Sequence, residues 1–240
     1  MTQSCPAVFS RNDSRTAAAC AVGGSALLFA GTLAHPMAAE PNDALAAFTE
    51  YAADHLWIAS HLTQLAGVTL MVVALLFLAR ELELSGAAWA RVAAAGAIVT
   101  LALAAVLQAV DGIALKRSVD AWAAAPASHK DAAFYAALSV RHVEIGLASL
   151  LCLSLGATAI LYAGVMLAHG TYPKWMAALA ASGGAATAGA GVVIAYAGFS
   201  SLAMTINMPA NTVLLVWMLA LGVCMWRRSS GSTPITQRTR

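Results

Sequence analysis

Charge is what this sequence has least of. Only 10% of its 240 residues are Asp, Glu, Lys or Arg, against roughly 25% in a soluble domain, and the charges fall outside a set of long uncharged stretches. With those stretches placed, no length remains for a separate soluble domain. Cysteine is also scarce. Cys5, Cys20, Cys152 and Cys224 have neither disulfide nor zinc-site spacing, which excludes a disulfide framework. There is no H-E-x-x-H, no G-x-S-x-G, no phosphate-binding loop and no paired D-x-x-x-D of the intramembrane prenyl transferase type. No lysine lies inside an apolar stretch, which excludes a retinal-type Schiff base. No stretch has a charge or a proline at its middle, so the mid-membrane site of secondary transporters is missing. Nothing points to nucleic acid as a partner.

What is present is hydrophobic: 60% of the chain. A spanning helix needs about 20 mostly apolar residues, and six segments qualify, at about 16–36, 58–80, 89–110, 140–166, 174–198 and 209–227. They predict an all-α, polytopic membrane helix bundle, a single transmembrane domain over 1–240 that ends in a disordered polar tail at 229–240. The first segment has a basic start, an apolar run and a small-residue "MAA", like a cleaved signal peptide. Its uncharged run of about 19 residues is nevertheless long enough to span. An uncleaved first helix is the preferred reading, and a cleaved segment 1–39 is the alternative.

Lys and Arg set the orientation. One side of the six-span layout carries Arg11, Arg15, Arg80, Arg91, Lys174, Arg227, Arg228, Arg238 and Arg240. The other carries Lys116, Arg117, Lys130 and Arg141. Nine against four predicts both termini in the cytoplasm and a place in the inner (plasma) membrane. The basic ends would meet anionic membrane lipids. Eight of the eleven acids fall on the outer side. Trp89, Trp175 and Trp226 inside, and Trp57 and Trp122 outside, read as interfacial anchors.

Two outer segments are long. Residues 35–57 read as an interfacial helix feeding the second span. Residues 111–142 begin at a turn, and Ser128 stands three residues before Asp131, the spacing of a capping box. From Asp131 the chain runs on for about 36 residues, or about 54 Å of helix, longer than the hydrocarbon core of about 30 Å. Gly183, Thr187, Gly191 and Ala195 form a small-residue stripe that lets helix backbones approach. Pro209 reads as the first turn of the last span.

Five of the six histidines lie on the outer side: His35, His55, His61, His129 and His142. At about 100° per residue, Asp54, Trp57, His61 and Gln64 fall within one arc of about 80°, and His55 falls off it. Lipid satisfies neither an imidazole nor an amide, so that face should turn inward. Gln108 and Asp111 stand three apart at the outer end of the third span. In the fourth, Tyr135 and His142 share one face, and Arg141 and Glu144 share another, where they can pair with each other. Tyr196, Asn207 and Asn211 reach the same level.

These groups predict an outward-facing polar pocket for a small amphipathic ligand such as a lipid, an isoprenoid or a quinone. Asp54, Asp111 and Glu144 are the candidate acids, with His61 and His142 as acid–base partners. Trp57, Gln64, Gln108, Tyr135, Tyr196, Asn207 and Asn211 are candidate ligand contacts. Whether the pocket also transforms its ligand is open, and no metal ligand set is assigned. A buried polar network that serves packing specificity alone is the plainer reading. The functional alternatives are a b-type haem held by His61 and His142, a copper site drawing on His35, Met37, Met204 and Met208, and a transporter or accessory subunit.

Certain pieces stand together: His35-Pro36 after the first span, Trp57 and His61 a turn apart opening the second, Asp111-Gly112 at the end of the third, and "YPKWMAAL" from Tyr172 to Leu179. In this order the chain resembles a group of uncharacterised bacterial six-helix integral membrane proteins. The resemblance implies a shared scaffold with an outward site and no particular activity.

Overall fold

The structure is a computed structural model that describes residues 9–85 and 87–231. Among these residues it is all helix, with six helices long and apolar enough to cross a membrane. The spans are α1 (Arg11–Leu33), α3 (Trp57–Leu84), α4 (Trp89–Leu107) with its continuation, α6 (Lys130–His169), α7 (Lys174–Ala197) and α8 (Ser201–Gly231). The short helix α2 (Ala44–Ala53) precedes the second span. The third span continues past Leu107 through a π-helical segment, Gln108–Leu115, into α5 (Lys116–Ala124).

Each span packs on its neighbours in the chain, and α8 packs back on α1, so the six close a ring. Small residues permit the closest approaches. A Cβ on Gly24 would lie 2.7 Å from the Gly67 carbonyl oxygen, and one on Gly191 would lie 3.0 Å from the Leu153 nitrogen and Ser149 oxygen. Both distances are well inside ordinary contact. Ser149 also donates to the Gly191 carbonyl at 2.9 Å, fastening α6 to α7 at that crossing. One half of the bundle is filled with large side chains set among alanines. Leu78, Leu82, Tyr162, Met166, Trp217 and Leu221 are buried there. The half carrying α2 and α5 is capped instead by Phe48, Tyr51, Trp57, Leu115, Val119 and Trp122.

The local signals explain most helix ends. Ser10 and Asp13 form a reciprocal capping box at α1. Asp43 accepts from the Leu45 and Ala46 amides at α2. Gly170, at φ 62°, supplies the left-handed residue that ends α6. Two lysines serve as C-terminal caps. Lys116 Nζ donates to the Tyr51 and Ala52 carbonyls and to Asp120, and Lys130 Nζ donates to the Trp122 and Ala123 carbonyls.

Several expectations need correcting. The third span does not stop near residue 110. It absorbs Asp111-Gly112 in the π-helical segment instead of turning there. Ser128 does not cap α6, whose N-cap is His129; the Ser128 hydroxyl is bonded to the His129 ring. Pro209 lies inside α8, which begins at Ser201. The missing N–H of Pro209 leaves the Thr205 carbonyl without its helical donor. Trp89, Trp175 and Trp226 are exposed, as interfacial anchors would be, whereas Trp57 and Trp122 are buried in the aromatic cap. Residues 229–231 belong to α8, and the rest of the expected disordered tail, 232–240, lies outside the described residues.

Candidate functional site

The site lies at the α2–α5 end of the bundle, beneath the connector that joins α1 to α2. Glu50 of α2 pulls this connector down: its carboxylate accepts from the Ala38 and Ala39 amides, each at 2.9 Å. Asn42 donates to the Ala197 carbonyl and ties the connector to the end of α7. Under this roof is a cavity of about 750 Å³, bounded by the connector, α2, the tops of α3 and α6, the π-helical segment and the start of α8.

Behind Trp57 and Asp111, which line the cavity, His61 is buried and makes two polar contacts. Its Nδ1 lies 2.7 Å from the Trp57 carbonyl oxygen, a group that only accepts, so Nδ1 carries a proton. Its Nε2 faces Asp111 Oδ2 at 3.0 Å. That contact is favourable when a proton lies between the two, on Nε2 or on the carboxyl, or when a cation replaces that proton. Trp57 Nε1 donates to the Asp111 backbone carbonyl at 3.0 Å and so ties α3 to the π-helical segment. Gly112 completes the fit, because a Cβ there would lie 2.6 Å from His61 Cβ.

His35, just beyond α1, is in the same place. Its ring centroid lies 4.7 Å from that of Trp57 and 5.0 Å from that of His61. Its Nδ1 sits 2.7 Å from the Pro36 carbonyl, which makes Nε2 its lone-pair nitrogen. Burial, and then the neighbouring His61, lower the pKa of His35 below the usual histidine value.

Arg141 and Glu144 form the opposite wall. Arg141 Nη1 donates to both carboxylate oxygens at 2.7 and 2.8 Å, and Nη2 donates to the Pro41 carbonyl at 3.0 Å. The guanidinium lies over Phe199 at 4.7 Å and over Tyr51 at 5.6 Å. Burial, reinforced by Glu144 and Asp111, pushes the Tyr51 hydroxyl up to about 12 against the opposing pull of Arg141.

The candidates from sequence divide into two groups. Brought together are His61 with Asp111, Gln64 with Gln108 (3.3 Å between their amides), Trp57, Glu144, and Asn207 at the cavity wall. Asp54 is close but not on the α3 face. It ends α2 and caps the approach to α3 through the Leu56 amide. The remainder turn outward. Tyr196 is 91% exposed and Tyr135 66%, His142 is exposed, and Asn211 is exposed and donates to Asn207. The imidazole near His61 is therefore His35 and not His142. The arrangement adds residues that sequence reasoning passed over as ligand contacts: Glu50, Tyr51, Gly112, Arg141 and Phe199. The separation of Arg141 and Glu144 signalled their pairing but not its burial in a cavity wall. The other four carry no local signal.

Compared with known proteins, the chain matches no family model, and no curated protein and no solved structure is significantly similar to it. The functional reading therefore rests on the geometry.

Proposed function

We propose that this multi-pass membrane protein binds a small amphipathic molecule with an uncharged or cationic polar head, in the cavity beneath the α1–α2 connector on the outer side of the inner membrane. A neutral isoprenoid or quinone is the best-matched class. The observation that carries this reading is the mixed lining of the cavity. His35, Asp111, Arg141 and Glu144 contribute polar atoms, and Met37, Tyr51, Phe199, Met204 and Met208 contribute apolar and aromatic surface. Ligand sites commonly combine an apolar wall with a few convergent polar groups. The lining's charge selects the head. One arginine stands among four carboxylates, Glu40, Glu50, Asp111 and Glu144, an environment that opposes an anionic headgroup. Asp111, held from behind by His61, presents a polar group to a bound carbonyl or hydroxyl. Binding is favoured over passage because the other half of the ring is filled by Leu78, Leu82, Tyr162, Trp217 and their neighbours.

The test is photocrosslinking of the full chain in lipid nanodiscs, with a neutral isoprenoid-quinone probe and an anionic phosphatidylglycerol probe. The neutral probe should label the peptide around Phe199–Met208, and Met208→Trp, which fills the cavity, should suppress the labelling. Equal labelling by both probes, or labelling indifferent to Met208→Trp, would overturn the assignment.

A further inference from the structure

We propose that His35, His61 and Asp111 bind one divalent first-row transition-metal ion, zinc or iron(II), at the floor of this cavity. The ligand atoms of the three residues all lie within 4.8 Å of one another. Bonds of about 2.0–2.2 Å place tetrahedral zinc ligands about 3.4 Å apart. His61 Nε2 and Asp111 Oδ2, at 3.0 Å, are already a little closer than that, and the remaining closure of up to about 1.4 Å is within reach of side-chain rotation.

Both imidazoles have the backbone support that ligating histidines have. Each is held by its Nδ1–H on a backbone carbonyl, Pro36 for His35 and Trp57 for His61, which leaves Nε2 with its lone pair. A carbonyl or carboxylate on the far nitrogen is the usual support for a ligating histidine, since it fixes tautomer and ring direction.

A second observation points to a cation independently. Six buried side-chain polar atoms have no hydrogen-bond partner among the described residues, and the three carboxylate or amide oxygens in that set are Asp111 Oδ1, Asp54 Oδ2 and Gln108 Oε1. All three belong to residues of this corner. Gln108 stands three residues before Asp111 and is bonded to Gln64, and Asp54 ends α2 three residues before Trp57. Buried acceptors left without donors are costly, and a bound cation with its coordinated water satisfies such a set.

The donor set narrows the ion. Two imidazoles and one carboxylate suit zinc or iron(II) better than soft Cu(I), and three protein ligands leave a coordination position open, as at catalytic centres. A haem fits poorly, because a carboxylate 3.0 Å from His61 Nε2 occupies the axial position a haem iron would need. This inference deepens the proposed ligand site and rests on it only in giving the open position something to face.

The full chain, purified in detergent through a tag free of histidine, is stripped with chelator and titrated with Co(II) and Zn(II). Wild type should bind one ion per chain by elemental analysis, show the visible bands of low-symmetry Co(II), and gain thermal stability with Zn(II). His35→Gln and Asp111→Asn should lose all three responses, while His55→Gln and Met204→Leu/Met208→Leu keep them. His35 lies in the connector outside the packed core, so its variant separates ligand loss from unfolding. If His61 and Asp111 are only a proton-sharing pair, His35→Gln binds metal as wild type does, or wild type itself does not bind it above background; either result overturns the metal site. Quinone-probe labelling is scored on the same preparations. Labelling without metal would sink this inference alone, and metal without labelling would sink the ligand reading alone.

Discussion

Gly112→Ala tests the geometry of the site without touching a single polar group. The added methyl would lie 2.6 Å from His61 Cβ and 2.9 Å from its Cγ, where carbon atoms normally rest about 3.5–4.0 Å apart. The π-helical segment and α3 must therefore separate by about 1 Å. That movement stretches two 3.0 Å contacts, His61 Nε2 to Asp111 and Trp57 Nε1 to the Asp111 carbonyl, past useful hydrogen-bond length. Overpacking costs about 1–3 kcal/mol, and the weakened bonds add about 1–3 kcal/mol. The first clash is with Cβ, so His61→Ala gives only partial relief and His61→Gly removes it. The assay is thermal unfolding of the detergent-solubilised chain, followed by size-exclusion fluorescence. Gly112→Ala should lower the unfolding temperature in wild type and in His61→Ala. In His61→Gly it should be neutral or stabilising, because alanine is favoured over glycine in a helix by up to about 1 kcal/mol. A silent Gly112→Ala in wild type, or equal losses in all three backgrounds, would refute the contact.

Orientation is tested by single cysteines in a chain whose own cysteines are replaced. Ser128→Cys should react with a membrane-impermeant thiol reagent in intact cells and Lys174→Cys should not; both positions are exposed, so reversed labelling would reverse the bundle. His61→Ala should abolish labelling by the quinone probe, while His55→Ala, on the exposed side, should leave labelling and stability unchanged; matched losses would count against the one-face argument. Arg141→Ala leaves Glu144 buried without its partner and should cost about 3–5 kcal/mol in thermal unfolding. The paired Arg141→Met/Glu144→Leu should recover most of it, and if the double variant is as damaged as the single, the pair is not the reason for the loss.

The six spans were legible because their signal is one-dimensional: a run of about 20 apolar residues has few other homes. The closed ring was not, since it depends on which small residues meet across helices. The inward turn of His61 and Gln64 was readable from helical period, because both stand within one unbroken helix. Asp54 escaped that reading because α3 begins at Trp57 and a helical wheel does not extend across a break. In α6 the period defined two polar faces, one with Arg141 and Glu144 and one with Tyr135 and His142. Only packing chose between them, burying the first pair and exposing the second. His35 was noticed as an outer histidine and possible copper ligand but not as the neighbour of His61, because it meets His61 through a connector with no period at all. Asp111-Gly112 and Pro209 were taken at their usual value as punctuation. Helix continued through both, at the π-helical segment and inside α8.

The π-helical segment gives the third span an unusual relation to its own length. Closing rings from i to i+5 accommodates an extra residue within a helix, so Gln108–Leu115 behaves as a spacer between two stretches set at different phases. Removing one residue ahead of Asp111, such as Val110, would let the span relax to ordinary α-helix and still reach both surfaces. The same deletion would close the wide turn from which Asp111 meets His61 and Trp57. The site can therefore be erased by a change that the membrane, reading only length and hydrophobicity, does not register. Such a deletion should insert, express and close its ring as wild type does, and carry an empty floor.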